Sequence, residues 1–504
     1  MDPADWKAFR VLCHMMVDEA LDFIEGVRER PVWTAVPDAV KQDLAEPLPA
    51  SGQGIEQVCS DFLRLVLPYA TGNIHPRFFG WVHGSGTAGG VVAELLSATM
   101  NANVGGRDHG AVYVERQVLR WCREIFGFPE TASGLLVSGT SMATLIAIAV
   151  ARNHMAGHDV RWLGLRHMEA PLVAYASTEA HGSVIKAFEI LGLGRESLRL
   201  IPVNEAYRIE MGALRRAVEE DRRSGCHPFC VIGSAGTVNT GAIDDLAALA
   251  DLCVTQDLWL HVDGALGALG VLTEGVRPRL AGIDRADSLA FDFHKWMHVP
   301  YDAGCILVRC GDLHRRAFSA RPAYLSGAAR GLAAGDPWFC EYGPELSRGF
   351  RALKVWFTIK EHGVRRLGAK IDENCRQARY LAERVLDQPD LDLMAPVSLN
   401  IVCFRFVGQM ASLDAINRIN GEIVAELHES GIAAPSTTRL GDALAIRACI
   451  CNHRTTRADL DALIAAVLAS GRTHASAAPA PGKACLPSRH SPPSKPASVE
   501  CEAS

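Results

Sequence analysis

The amino-acid sequence predicts an α/β protein built on a largely parallel sheet, with a helical segment before it and a smaller α+β unit after it. Three observations carry this. Short β-rich segments alternate with helical patterns through the middle of the chain, the character changes near Glu361, and no internal repeat is present. At 504 residues the chain is too long for one simple core, so two or three packed units are expected.

Taken in order, the first ~90 residues carry helical spacing, with Phe9, Leu12, Met16, Ala20 and Phe23 recurring at three- and four-residue steps. The Pro-rich link Pro31–Pro49 interrupts it, and a second amphipathic run follows (Val58, Phe62, Leu65, Val66, Tyr69). The middle segments LVAYAS, PFCVIGSAG, LWLHVDGA, SLAFDF and GCILVRC read as buried strands, and Ser141–Arg152, Ser183–Leu191 and Asp244–Gln256 read as the helices between them. Beyond Glu361 come a long helix (Ile371–Leu386), the strand-like NIVCFRF, a helix at Leu413–Ser430 and the strand-like ALAIRACI. The expected division is a helical segment at 1–90, a large α/β domain at 91–362, a small α+β domain at 363–470 and a disordered Ala-, Pro- and Ser-rich tail at 471–504.

Composition narrows the function classes. The apolar fraction of 48% and charged fraction of 21% suit a globular protein, and a net charge of −6 gives no footprint for nucleic acid or an anionic membrane. The start MDPADWKAF lacks the basic and apolar regions of a secretory signal, and the longest apolar run, Met142–Val150, is far short of a membrane span. A cytoplasmic protein is expected. Fifteen cysteines form no CxxC pair; Cys449, Cys451 and His453 alternate on one strand without a second pair to complete a zinc site, so reduced, buried thiols are the better reading.

Four elements could carry chemistry. Ser138-Gly139-Thr140-Ser141 closes an apolar run and opens a helix, where exposed N–H groups suit a phosphate; taken alone the pattern favours simple helix capping. Asp263, in Trp259-Leu-His-Val-Asp263-Gly-Ala265, ends a buried strand, where ligands bind in open α/β sheets, although a lone Asp there is more often a cap or ion-pair partner. Lys295 follows the strand SLAF between Phe293, His294 and Trp296, and partial desolvation there would lower its pKa and free a nucleophilic amine; alone it reads as a surface or ion-paired lysine. His181 follows LVAYAS and precedes a helix; alone it reads as a polar cap. Together they form the set that pyridoxal 5′-phosphate requires: a phosphate cradle, a planar ring neighbour, an acid for the pyridine nitrogen and an amine for the aldehyde.

Those residues lie within longer stretches: MVDEALDFIEGVRERPV, HPRFFGW, GLLVSGTSMATLIAIAVAR, STEAHGSV, SAGTVNTGAIDD, LWLHVDGALGA, DFHKW and LSRGFRALKVW. In these, from about Met16 to about Thr456, the sequence resembles the group II pyridoxal-dependent decarboxylases, the family of aromatic-L-amino-acid and glutamate decarboxylases. The resemblance implies the aspartate aminotransferase-like fold (fold type I) and a homodimer with active sites at the subunit interface. It implies that Lys295 carries the cofactor as a Schiff base, Asp263 pairs with the pyridinium nitrogen, and His181 and Ala265 cover the two ring faces. Thr140, Ser141 and His294 would hold the phosphate, with Thr237 close by. Tyr324, in a loop ahead of the glycine-rich stretch at 327–335, matches a tyrosine that assists protonation of the carbanion. Arg447 matches an arginine that in some members meets the substrate carboxylate. The sequence departs from the family at three places. Asp292 stands where several members have Asn, and either faces away from the phosphate, is protonated or pairs with a cation. Phe293 replaces a small residue or proline, and Trp81-Val82-His83-Gly84 lacks a hydroxyl residue that aromatic-acid decarboxylases have.

The function this implies is decarboxylation of an L-amino acid to its amine. Phe78, Phe79 and Trp81 hint at an aromatic substrate, though such residues are as often core. The alternatives are an aminotransferase, an oxidative aldehyde-forming enzyme, and a non-catalytic cofactor-binding protein. Tyr324 and the FRALKVW segment argue against the first, tyrosine rather than phenylalanine at 324 against the second, and retention of both Lys295 and Asp263 against the third.

Overall fold

Strands buried on both faces must be apolar throughout, and those in the middle of this chain are. The computed structural model describes residues 1–157, 159–320, 327–410 and 412–477. Its strands are β1 (Phe78–Phe79), β2 (Ser133–Val137), β3 (Leu172–Ser177), β4 (Leu198–Ile201), β5 (His227–Ser234), β6 (Trp259–Asp263), β7 (Ser288–Asp292), β8 (Gly304–Val308), β9 (Leu391–Leu393), β10 (Ile401–Phe406), β11 (Ala434–Leu440) and β12 (Ala443–Cys449). Seven of them form one sheet in the order β2-β8-β7-β6-β5-β3-β4. The pairs β4–β3, β3–β5, β5–β6 and β6–β7 are parallel, so β3, β5, β6 and β7 deliver their carboxyl ends to one edge.

Strand β8 departs from the parallel rule, running antiparallel to both β2 and β7. Only residues 293–303 join β7 to β8, shorter than the roughly dozen residues that a parallel crossover takes. Strand β4, half exposed at the sheet edge, and β11, with its polar PSTT centre, lack the apolar signature that marked the others.

The second sheet runs β1-β11-β12-β10-β9 and is antiparallel except where β1 joins β11. That pairing (Phe78 with Ala434) draws the segment after the N-terminal helices onto the C-terminal sheet. The long helix Ala352–Leu386 is broken at Gly363, whose φ of 68° is left-handed. Past the break Leu367, Ile371 and Cys375 still pack into the large core, while Ala378, Leu381 and Val385 enter a second core with β10 and the last helix. That last helix, Arg457–Ala477, corrects the expected start of a disordered tail at 471. Gly471 packs against Phe406, Arg472 pairs with Asp390 at 2.8 Å, and His474 meets Glu426 at 3.1 Å. No described helix is long and apolar enough to cross a membrane.

Candidate active site

The site lies at the carboxyl edge of the large sheet. Lys295 is placed by a single helical turn, Phe293–Trp296, that leaves β7. Phe293 is fully buried and meets Phe291 edge-on at 5.0 Å, and Trp296 is buried with its indole N–H donating to Asn374 Oδ1 at 3.1 Å. These anchors fix the turn and leave the Lys295 side chain 20% exposed toward the cavity.

Asp292 settles among its three alternatives by pairing with a cation. Its Oδ2 lies 2.9 Å from Lys295 Nζ and 3.7 Å from His294 Nε2, while Oδ1 accepts the Thr140 N–H at 2.8 Å. The lowered lysine pKa expected from desolvation is therefore corrected. Burial does push the Lys295 ammonium down, but the Asp292 carboxylate, with help from Asp263, outweighs it and the net shift is upward.

Asp263 ends β6, is 7% exposed and accepts the Ala265 N–H at 3.1 Å. Burial raises its pKa, with that N–H, Lys295 and His181 opposing the shift. His181 caps the helix Gly182–Ile190, its Nδ1 accepting the Ser183 N–H at 3.2 Å, and its exposed ring borders the cavity. The cap reading and the cavity-facing reading of this residue thus hold together. His294 is buried, and its Nδ1 accepts the Ala303 N–H at 3.0 Å, which puts its proton on Nε2; burial lowers its pKa. Thr237 closes a turn, accepting the Ala242 N–H at 3.1 Å.

These residues converge on a cavity of about 550 Å³ lined by Thr140, Ser141, His181, Thr237, Asp263, Ala265, His294, Lys295, Trp81 and Arg447. Its walls suit pyridoxal phosphate. The helix Thr140–Met155 starts without a side-chain cap from its own N-cap residue, Gly139, and Thr140 Oγ1 is buried with no hydrogen-bond partner, an arrangement that an anion would satisfy. The same cavity holds a buried carboxylate and an amine. Gly84 backs it: a Cβ there would lie 1.8 Å from His294 O, so only glycine lets this segment pass.

Sequence reasoning did not single out His83, Tyr301, Glu179, Asn239 or Ser436 as wall residues, yet all line the cavity. His83 stacks near Phe78 (5.7 Å, 10°) and Trp81 (5.6 Å, 30°), and Tyr301 lies 4.3 Å from the His294 ring. The position of His83 two residues after Trp81 was a usable signal; Ser436 lies on the polar strand β11, which gave none. Cys451 donates to His83 O and His453 Nδ1 meets Ser85 Oγ at 2.8 Å, so these side chains serve separate partners, and no described cluster of His, Cys, Asp or Glu could hold a metal ion. Tyr324 lies outside the described residues.

Residues 37–407 match the family described as the pyridoxal-dependent decarboxylase conserved domain. The chain belongs to that family. It is 37% identical over 460 residues to an aromatic-L-amino-acid decarboxylase of Bacillus atrophaeus, covering 90% of this chain and 93% of the relative. It is 30% identical over 416 residues to a phenylacetaldehyde synthase of Petunia hybrida, covering 80% of each. The crystal structure of Catharanthus roseus tryptophan decarboxylase in complex with L-tryptophan superposes with a TM-score of 0.84 at 25% identity, over 94% of this chain and all of that one. The protein is thus a pyridoxal phosphate-dependent amino-acid carboxy-lyase with the fold of type I enzymes.

Proposed function

We propose that this decarboxylase acts on aromatic L-amino acids and that Lys295 is the amine to which its cofactor attaches. The observation that carries the substrate reading is the pair Trp81 and His83, stacked at 5.6 Å on the cavity that also holds Lys295, with the buried Phe78 ring behind them. When bound, pyridoxal phosphate supplies the electron sink for the bonding pair released at Cα as CO₂ leaves. In this reading Asp263 keeps a proton on the ring nitrogen, a charge placed before the reaction needs it. His181 and Ala265 flank the ring, and Thr140, Ser141 and His294 receive the phosphate at the head of the helix, with Thr237 beside it. An assay of CO₂ and amine from a panel of L-amino acids tests the substrate class. Tryptophan, tyrosine, phenylalanine or their ring-hydroxylated forms are expected to exceed glutamate, aspartate and histidine by at least about tenfold in kcat/KM, a difference of ~1.4 kcal/mol. A preference for an acidic substrate would refute it.

Tyr324 is proposed to return the proton to Cα. Tyr324→Phe is expected to leave CO₂ release largely intact while slowing that return, so that O₂ diverts part of the turnover to aldehyde, ammonia and hydrogen peroxide. Amine and aldehyde measured on one sample decide it: an unchanged ratio removes Tyr324 from the reaction.

A homodimer and a cytoplasmic setting complete the proposal. The twenty-residue helix Trp6–Glu25 has no buried residue although it carries Trp6, Val11, Met15, Val17 and Leu21. The helix Ala88–Met100 likewise exposes Val91, Val92, Leu95, Leu96 and Met100. Apolar faces of this extent suit a second copy of the chain. Sedimentation is expected to give twice the 54.4 kDa chain mass, and the doubly substituted Leu21→Asp/Leu95→Asp protein to shift toward a single chain. Cys122, Cys230, Cys253, Cys305, Cys375, Cys403, Cys449 and Cys451 are buried free thiols, which suits a reducing compartment.

A further inference from the structure

Arg447 projects from β12 and is 3% exposed, yet among the described residues it forms no ion pair. Its guanidinium is committed to three backbone carbonyls and one hydroxyl. Nε donates to Asn239 O at 3.1 Å, Nη1 to Trp81 O at 2.7 Å and to Ser436 Oγ at 3.4 Å, and Nη2 to Val238 O at 2.5 Å. One planar fork therefore fastens three separate stretches of chain: the segment after β1, the turn after β5, and β11.

The segment after β1 needs fastening. Trp81 has a φ of 48°, a left-handed conformation unfavourable for a bulky residue, and the residue is 55% exposed in the cavity wall. Both of its backbone polar groups are held, its N–H by Ser436 Oγ at 3.3 Å and its carbonyl by Arg447. The turn is braced in the same way: Asn239 donates to Glu179 Oε2 at 3.0 Å and accepts from Thr438 Oγ1 at 2.8 Å. With four donor contacts already made to protein oxygens, Arg447 has little left to offer a substrate carboxylate.

We propose that Arg447 is a positioning residue that sets substrate specificity through Trp81, holding the indole in place as the wall against which the substrate side chain rests. This rests on the aromatic-substrate reading above, and it assigns Arg447 to the side-chain half of the substrate rather than to its carboxylate. The two roles separate when one ligand keeps the carboxylate and the other lacks it.

The test compares L-tryptophan as substrate with tryptamine as competitive inhibitor, in the wild-type holoenzyme and in Arg447→Met and Arg447→Lys. Clamping through Trp81 is expected to raise KM for L-tryptophan and Ki for tryptamine by the same factor, at least about tenfold in Arg447→Met, with the absorbance of the bound cofactor unchanged. Lysine cannot reproduce the fork and is expected to rescue less than half of that loss. Trp81→Ala in the Arg447→Met background is expected to add nothing further to either constant, since the two side chains act as one unit. Ser436→Ala, which removes the hold on the Trp81 N–H while keeping the arginine, is expected to move both constants together by a smaller factor, and it carries the test if Arg447→Met does not fold. A rise in KM with tryptamine Ki within about twofold of wild type would overturn the proposal in favour of carboxylate recognition. Two unchanged constants, or additive effects of Trp81→Ala and Arg447→Met, would overturn it as well. Failure of the aromatic-substrate reading shows separately, as a wild-type enzyme that neither turns over L-tryptophan nor binds tryptamine. The same comparison is then made with the best substrate of the panel and its own amine, where unequal shifts in the two constants would again overturn the clamp.

Discussion

Lys295→Ala is expected to lower decarboxylation by at least about 10⁴-fold, roughly 5 kcal/mol at the transition state, and to lose the borohydride-reducible adduct altogether. It is also expected to cost stability, for a reason unconnected with turnover. Asp292 is 2% exposed, and its charge partner at 2.9 Å is Lys295. Removing the amine leaves that carboxylate with the Thr140 N–H and the more distant His294 ring. Breaking a buried pair from one side is costly, and with the lysine one-fifth exposed the loss is expected at about 1–3 kcal/mol. The double substitution Lys295→Ala/Asp292→Asn is therefore expected to recover thermal stability without recovering any activity. Thermal midpoints of the three cofactor-free proteins, in which the Lys295 amine is not bonded to the cofactor, and initial rates after cofactor is added check this directly. A single substitution as stable as wild type would show that the Asp292–Lys295 contact carries no energy.

Asp263→Asn is expected to behave in the opposite way, sparing the fold and crippling turnover. The carboxylate is buried at the end of β6, and burial drives its pKa upward, so folding gains nothing from its charge. The proposed use of that charge is to hold a proton on the ring nitrogen. Loss of one such preorganised group typically costs 10²–10³ in kcat, about 3–4 kcal/mol. A steady-state kcat within about threefold of wild type would remove Asp263 from that role.

How much of this was legible in the sequence follows the physics of each element. LVAYAS became β3 at residues 172–177 because a strand buried on both faces must be apolar throughout. The helix after Thr140 and the strand ends at Asp263 and Asp292 were visible for the same reason, and they place the site. Strand β11 was hidden because its polar centre serves the cavity rather than the core, and with it went Ser436 and the bonding of Arg447. The charge on Lys295 was misjudged from sequence because local apolar neighbours argue for desolvation, whereas the decisive partner, Asp292, bears on it only once the turn Phe293–Trp296 has folded. The aromatic wall was half legible: Trp81 stood out, but the stacking of His83 beside it depends on the left-handed backbone at Trp81 and on bonds from β11 and β12.

The central claim is that Lys295 is the residue to which the cofactor attaches. Reducing the native enzyme with borohydride, digesting it and locating the pyridoxyl group by mass spectrometry tests this most directly. The label is expected on the peptide containing Asp292-Phe293-His294-Lys295-Trp296, on Lys295 and in near-stoichiometric yield. A pyridoxyl group found on any other lysine, or a native holoenzyme that gives no labelled peptide, would contradict it.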